Sequence, residues 1–281
     1  MEYLYLIVLG CSAGVLSGAL GIGGGLVIVP GLVQLYKHLG IFGDDYMPIA
    51  AGTSLAVMIF TASGNTLFFQ RQRRIDWRLF RDMVPWIVVF NVLGAFLASS
   101  MPAKTLEIVF GSVILLMAAK MILDLLRSLR AGKAARGQRK IPTFAKAVAG
   151  MLIGLKSGLL GIGGGAIATP FFANYGVPIR IATGTTASLT LPIGIVGTAA
   201  FVIIGIHTGH DYNESLGYVH WTSVVILAPF TVVTTFLGTK LSDWMPTVWL
   251  RGLFIVFLLF AGLKSLLQIL PADRLPAFMT F

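Results

Sequence analysis

Apolar runs of membrane-spanning length follow one another along almost the whole sequence. A helix that crosses the hydrocarbon core of a bilayer needs about 20 mainly apolar residues. Of the 281 residues, 56% are hydrophobic and only 11% are charged, against about 25% charged in an average soluble domain. Neither a soluble enzyme nor a disordered chain has this composition. The sequence therefore predicts an all-α polytopic membrane protein, with apolar runs at 3–20, 26–36, 48–69, 79–98, 105–126, 143–160, 166–173, 179–206, 221–241 and 247–270.

The two halves of the sequence repeat each other. Residues 17–25 read SGALGIGGG and residues 157–165 read SGLLGIGGG. Further matches follow in the same order in both halves, namely Gly52-Thr53-Ser54 with Gly184-Thr185-Thr186, Trp77 with Trp221, Pro85 with Pro229, Gly94 with Gly238 and Lys120 with Lys264. We therefore divide the chain into a first membrane repeat (1–126), a basic cytoplasmic linker (127–142) and a second membrane repeat (143–281).

The placement of charge favours inverted repeats over parallel ones. Cytoplasmic loops of membrane proteins carry an excess of Lys and Arg. If each Gly-rich break is the tip of a re-entrant hairpin, each repeat makes three full crossings, and the basic segments 71–81 and 127–146 both lie inside. The alternative, eight plain crossings with parallel repeats, leaves more basic residues outside. We therefore predict two inverted-topology repeats, each with a Gly-broken re-entrant helix hairpin and three spanning helices, and both termini outside.

The Gly-rich breaks are the first candidates for a binding site. Broken backbone inside a bilayer must be buried in protein or line a cavity. Helices that restart after such a break present free N–H groups and the positive end of a dipole, which suits an anion. Paired broken helices at a repeat interface are a recurring plan of transporters. The alternative is that the glycines only allow close helix packing. A nucleotide-binding loop is excluded because neither break is followed by Lys-Ser or Lys-Thr.

Polar side chains inside the apolar runs are the other candidates. Lys156 lies deep in the run 143–160, where a charge costs on the order of 3 kcal/mol. Its ammonium either faces a bound anion, or binds a backbone carbonyl or reaches towards the membrane surface. Buried hydroxyls and amides can donate to an anion or bond their own helix. The predicted substrate-binding residues are Gly23, Gly24, Gly25, Gly163, Gly164, Gly165, Lys156, Ser157, Ser17, Thr53, Ser54, Thr185, Thr186, Asn65 and Asn91.

The doubled motif Ser-Gly-x-Leu-Gly-Ile-Gly-Gly-Gly-x₄-Pro, at residues 17–30 and 157–170, resembles the sulfite exporter TauE/SafE family. The resemblance covers nearly the whole chain. It implies export of small sulfur-containing anions, such as sulfite or organosulfonates, across the bacterial inner membrane. It also implies that the family's Gly-rich segments correspond to 21–25 and 161–165 here. We expect a small anionic substrate and membrane lipid as partners, no nucleic acid, no metal and no cofactor.

Two other functions remain as alternatives to a carrier. An anion channel would share most of these features. An intramembrane hydrolase would use Ser17 or Ser157 as its nucleophile, but neither serine has a histidine in mid-run to act as a base. No Asp or Glu falls in the middle of a run, so the carboxylate relay common in proton-coupled carriers is not predicted. The histidines near 207–220 match no metal-binding template.

Overall fold

The fold is almost entirely helical. The computed structural model describes residues 1–21, 23–130, 139–209, 212–244 and 247–267. The centre of the predicted linker, the loop residues 210–211 and the end of the last predicted run lie outside these ranges. The helices are α1 (Glu2–Leu20), α2 (Gly25–Leu39), α3 (Tyr46–Arg71), α4 (Trp77–Ser100), α5 (Ala103–Arg130), α6 (Thr143–Leu160), α7 (Gly165–Asn174), α8 (Ile179–His207), α9 (Trp221–Trp244) and α10 (Thr247–Leu267). A 3₁₀ turn (Gly43–Asp45) precedes α3, and a short antiparallel hairpin of β1 (Ser215–Leu216) and β2 (Val219–His220) precedes α9.

The helices coincide with the predicted apolar runs to within a few residues, except that α5 continues to Arg130, into the predicted linker. Seven of the described helices are long and apolar enough to cross a membrane, namely α1, α3, α4, α5, α6, α8 and α9. The chain is therefore a multi-pass membrane protein. The arms of each predicted hairpin are unequal, because α1 and α6 have 19 and 18 residues, whereas α2 and α7 have 15 and 10. The Gly-rich breaks therefore lie deep in the molecule.

Glycine ends the first arm of each hairpin in the same way. Gly21 and Gly161 adopt left-handed backbone conformations, with φ of 64° and 68°. Their N–H groups donate to the carbonyls of Ser17 and Ser157. A left-handed residue that returns its N–H to the last turn is a common way to end a helix, and glycine adopts that conformation without a steric cost. The chain can then turn back and begin α2 or α7.

The packing interleaves the two repeats. α1 of the first repeat lies along α9 of the second, and α6 of the second lies along α4 of the first. Glycines bring these backbones close, because a β-carbon added at Gly14 or Gly18 would strike Thr231 or Thr235 on α9, and one added at Gly158 would strike Asn91 on α4. Small residues allow this close approach in membranes, where no hydrophobic effect drives helices together.

The equivalent helices α3 and α8 pack antiparallel. Near the start of α3, Gly52 faces Phe201 near the end of α8, and further along the pair Ile59 faces Gly194. α5 and α10 also run antiparallel, with Gly111 against Leu266 and Gly262 against Leu115. A two-fold rotation that superposes one repeat on the other, and so exchanges two antiparallel helices, has its axis perpendicular to those helices. Inverted repeats require this arrangement, whereas parallel repeats would set equivalent helices parallel. Which end of each helix faces the cytoplasm stays a prediction.

Candidate substrate site

The two Gly-rich breaks meet between α3 and α8. A β-carbon placed on Gly23 would lie 3.6 Å from the Cα atom of Gly163, and one placed on Gly25 would lie 2.4 Å from the carbonyl oxygen of Gly161. The second distance is too short for any real β-carbon, so only glycine fits at position 25 without a shift of backbone. The turns of the two repeats thus form one contact. All six predicted glycines are buried, namely Gly23, Gly24, Gly25, Gly163, Gly164 and Gly165.

Both helices that leave this contact begin without a side-chain cap. The residues before their first turns are Gly24 and Gly164, which have no side chain that could accept from the free N–H groups. The carbonyl of each of these glycines accepts the N–H groups three and four residues later, so each helix is regular from its first turn. Uncapped first turns carry partial positive charge. The site therefore has two positive helix ends and few charged side chains.

Lys156 lies beside the second turn. Its side chain is 8% exposed, and its Nζ donates to the carbonyl oxygen of Gly163 at 2.7 Å. Within the described ranges it makes no ion pair. Binding to a backbone carbonyl is one of the roles that the sequence left open for Lys156. The same contact holds its Nζ next to the turn that contacts Gly23. The lysine thus ties α6 to the second break.

The hydroxyls of α3 and α8 divide into two kinds. Thr53 Oγ1 accepts the N–H of His220 at 3.0 Å, and Thr185 Oγ1 accepts the N–H of Asp76 at 2.9 Å. These two equivalent threonines therefore anchor the segments that begin α9 and α4. Ser54 instead donates from Oγ to the carbonyl oxygen of Gly161 at 2.9 Å, which ties α3 to the second break.

A narrow crevice adjoins the first turn. It is lined by Gly23, Thr61, Ala62, Asn65, Ala187 and Thr190, and it has no room for a water molecule. Asn65 is 5% exposed, and its amide is the strongest neutral donor in the crevice. Thr61 and Thr190 were not among the residues predicted from the sequence. The signal that could have found them is spacing, since each lies one helical turn from a predicted residue, Asn65 or Thr186.

The remaining predicted residues have local or structural contacts. Asn91 Nδ2 donates to the carbonyl of Ile193 at 2.8 Å and so joins α4 to α8. Ser157 Oγ donates to Ile153 in its own helix at 2.6 Å. The hydroxyls of Ser17 and Thr186 are buried and have no hydrogen-bond partner in the described part of the chain. Asn91 and Ser157 are thus placed to hold helices, while Ser17 and Thr186 keep their hydrogen-bonding capacity.

The family model for the sulfite exporter TauE/SafE matches residues 6–265. The chain belongs to the TauE/SafE family. The match includes both Gly-rich breaks, the crevice and the helices that enclose them. The chain is therefore a membrane transporter, and in a bacterium a multi-pass protein of this family lies in the inner membrane.

Curated relatives of this TauE/SafE protein carry a matching description. A "probable membrane transporter protein" of Haemophilus influenzae is 28% identical over 94% of this chain and 98% of its own length. The "probable membrane transporter protein YunE" of Bacillus subtilis is 25% identical over 95% of this chain and 98% of its own length. A relative in Methanocaldococcus jannaschii is 27% identical over 93% of this chain and 94% of its own length. No solved structure matches the chain significantly.

Proposed function

We propose that this transporter exports small sulfur-containing anions, sulfite or organosulfonates, by alternating access around the contact between the two Gly-rich breaks. The observation that carries the proposal is the meeting of two uncapped helix starts, at Gly25 and Gly165, beside the ammonium of Lys156. Backbone N–H groups and a positive dipole end suit an oxyanion. Membership of the TauE/SafE family supports the choice of sulfur anions over other anions.

The site would bind such an anion mostly through neutral donors. Asn65 lines the crevice that adjoins Gly23, and its amide can donate to sulfonate or sulfite oxygens. Thr61 and Thr190 line the same crevice, but their hydroxyls donate to the carbonyls of Met58 and Thr186 in their own helices, and they would have to rotate to bind an anion. A hydrogen bond that involves a charged partner contributes about 1.5–3 kcal/mol net. A few such bonds, with one ammonium, hold an anion while still letting it leave.

No carboxylate lines the described crevice, so the site itself supplies no acid for coupling to protons. Export needs none, because an inside-negative membrane potential drives an anion outwards. Moving one elementary charge across the membrane gains about 2.3 kcal/mol for each 100 mV. We therefore propose transport down the anion's electrochemical gradient.

Alternating access requires two states of the protein, in which each repeat adopts the conformation that the other repeat had before. Ser54 holds the carbonyl of Gly161, whereas its counterpart Thr186 makes no such bond to Gly21 within the described chain. We propose that, in the state open to the other side of the membrane, the bond from Ser54 to Gly161 is broken and a bond from Thr186 to Gly21 is made. The closed crevice at Gly23 then opens while the opposite side of the contact closes.

The test is counterflow in proteoliposomes. Vesicles loaded with unlabelled sulfite should accumulate labelled sulfite transiently against its gradient, with saturation. Sulfoacetate, thiosulfate and sulfate, applied as competitors, rank the substrates. The variant Asn65→Ala should reduce uptake, whereas Asn91→Ala should mainly reduce the yield of folded protein. Flux without counterflow or saturation would indicate an anion channel, and counterflow of none of the sulfur anions would overturn the proposed substrate class.

A further inference from the structure

A second cavity lies on the membrane-facing side of the molecule, between α1, α2, α5 and α10. Its volume is about 160 Å³. α1 packs mainly along α9 and α10 mainly along α5, and both contribute side chains to this cavity. Most of its wall is apolar, and its polar side chains include Gln34, Glu107 and Lys264, with aromatic rings from Phe110, Phe257 and Phe260. The substrate crevice shares no lining residue with this cavity.

The acid in this cavity is already neutralised. The Glu107 side chain is 2% exposed, and both of its carboxylate oxygens lie 2.7 Å from Nζ of Lys37. The hydroxyl of Tyr46 donates to the same carboxylate at 2.9 Å. Lys37 also lies 4.8 Å from the centre of the Tyr46 ring. Glu107 is thus bound on the protein side, and its charge does not repel an anion that enters the cavity.

Lys264 gives the cavity a net positive charge. Its Nζ lies 6.0 Å from the centre of the Phe260 ring, and it forms no ion pair with any residue in the described ranges. Gln34 on α2 also lines the cavity and adds an amide that can donate. A lone cation and an amide at the edge of an apolar cavity suit an anionic headgroup joined to a hydrocarbon chain.

The cavity opens onto the surface that faces lipid. Phe260 on α10 lines the cavity and is 56% exposed, and Val8, the neighbour of the lining residue Leu9 on α1, is 60% exposed. Apolar side chains with this exposure on membrane-spanning helices contact acyl chains. An occupant can therefore enter sideways from the bilayer, without passing through the substrate crevice.

We propose that this cavity binds an anionic phospholipid, with one acyl chain between α1 and α10 and its phosphate paired with Lys264. The occupant follows from charge complementarity. Lys37 neutralises Glu107, and Lys264, which pairs with no acid among the described residues, leaves one positive charge at an apolar wall. The site is independent of the transported anion, since it shares no residue with the contact between the Gly-rich breaks.

Native mass spectrometry of the delipidated protein tests the proposal. Phosphatidylglycerol and phosphatidylcholine with identical acyl chains are titrated separately. We expect tighter binding of phosphatidylglycerol, and the Lys264→Met variant should lose about fivefold of that affinity, the effect of one lysine near an anionic headgroup. Binding of phosphatidylcholine should not change. Lys120→Met is the matched control, because Lys120 is the repeat counterpart of Lys264 and its side chain is exposed.

A second variant tests whether the apolar wall of the cavity holds an acyl chain. Ala261 is 6% exposed and lines the cavity, so Ala261→Phe should fill the space and weaken both lipids while the charge stays in place. Equal affinity of the wild type for the two lipids, or an equal loss in Lys120→Met, would overturn the proposal. Competition by soluble glycerol phosphate as strong as that by the whole lipid would also overturn it, because the site would then bind a free anion.

Discussion

The hydroxyl of Ser54 donates a hydrogen bond to the carbonyl oxygen of Gly161 at 2.9 Å, whereas Thr186, its counterpart in the second repeat, leaves its hydroxyl without a partner in the described chain. The neighbouring pair is symmetric, because Thr53 and Thr185 both accept a backbone N–H. On these two helices the repeats therefore differ at the hydroxyl next to a Gly-rich break. Such a difference is what two exchangeable states of one site require.

Substitutions at these two positions should have opposite effects on stability. Ser54→Ala removes a buried hydrogen bond and should lower the free energy of unfolding by about 1 kcal/mol. Thr186→Val replaces an unsatisfied buried hydroxyl by a methyl group of the same shape and should raise the melting temperature. Thermal unfolding in detergent without substrate measures both. A loss of stability in Thr186→Val would show that its hydroxyl has a partner in this state.

The contact between the breaks should tolerate a methyl group at one glycine and not at its neighbour. A β-carbon on Gly25 would lie 2.4 Å from the Gly161 carbonyl, whereas the nearest atoms to one on Gly24 are the end of the Ile28 side chain, at 3.3 Å, and the carbonyl of Ala13, at 3.4 Å. We therefore expect Gly25→Ala to abolish sulfite counterflow and Gly24→Ala to retain most of it. Equal activity of the two variants, at equal amounts of inserted protein, would show that transport does not depend on the contact between the breaks.

Lys156→Met tests the positive charge at the second break. The substitution keeps much of the side-chain bulk and removes the ammonium that binds Gly163. We expect the affinity for sulfite to fall by about 1–3 kcal/mol, the scale of a charge-assisted hydrogen bond. Lys156→Arg should retain part of the affinity, although its planar fork does not reproduce the same geometry. Ligand-induced thermal shifts give the affinities, and Lys120→Met serves as a control away from the site.

The predicted inverted topology specifies which loops a reagent can label from outside. In a Cys11→Ser background, single cysteines at Asp44 and Asn213 should react with an impermeant maleimide in intact cells. Cysteines at Lys140 and Lys240 should react only after the membrane is opened. All four positions are exposed in the structure, so protection cannot arise from burial. Labelling of a cysteine at position 240 in intact cells, with none at position 213, would support the alternative topology, which has eight crossings and parallel repeats.

The loop before α9 should lose stability in mild acid. Burial lowers the pKa of His220 below its ordinary value, and Glu214, whose Oε2 lies 3.8 Å from Nε2, opposes that shift more weakly. Tyr36 and Ser223 also face the ring, and Glu2 and Tyr212 line the same cleft.

Because the folded pKa is depressed, the unfolded state binds a proton more readily, so stability is full above the unfolded pKa of about 6.5 and falls below it. Thermal unfolding at about pH 7.5 and about pH 5.5 should show a smaller drop for His220→Gln than for the wild type. An equal drop in both proteins would assign the pH dependence to other groups.

The sequence predicted the helices and the meeting of the breaks well, for a physical reason. Apolar length and glycine are local signals, and a duplicated motif such as that at 17–25 and 157–165 implies a symmetric contact. The same symmetry helped to find Ser54 and Thr186. It could not show that the Ser54 bond is made and the equivalent bond is not, since that difference belongs to one conformation.

Side-chain partners across the repeats were beyond prediction. Asn91 and Thr53 are predicted substrate-binding residues. In the structure Asn91 Nδ2 donates to the carbonyl of Ile193, and Thr53 Oγ1 accepts the N–H of His220. Each partner is distant in the sequence and is known only once the helices are packed. Glu107 can be buried because Lys37 reaches it from α2, 70 residues away in the sequence.

Because the two repeats are interleaved, the first helix cannot complete its packing until the second half of the chain has been translated. The glycine face of α1 packs on α9, whose first residue is translated roughly 200 residues after α1 ends. At about 5–20 residues per second, this interval is about 10–40 s. During that time α1 resides in the bilayer with Gly14 and Gly18 turned to lipid or to the insertion machinery. Assembly therefore cannot proceed one repeat at a time, since translation of the second half completes the packing of the first helix.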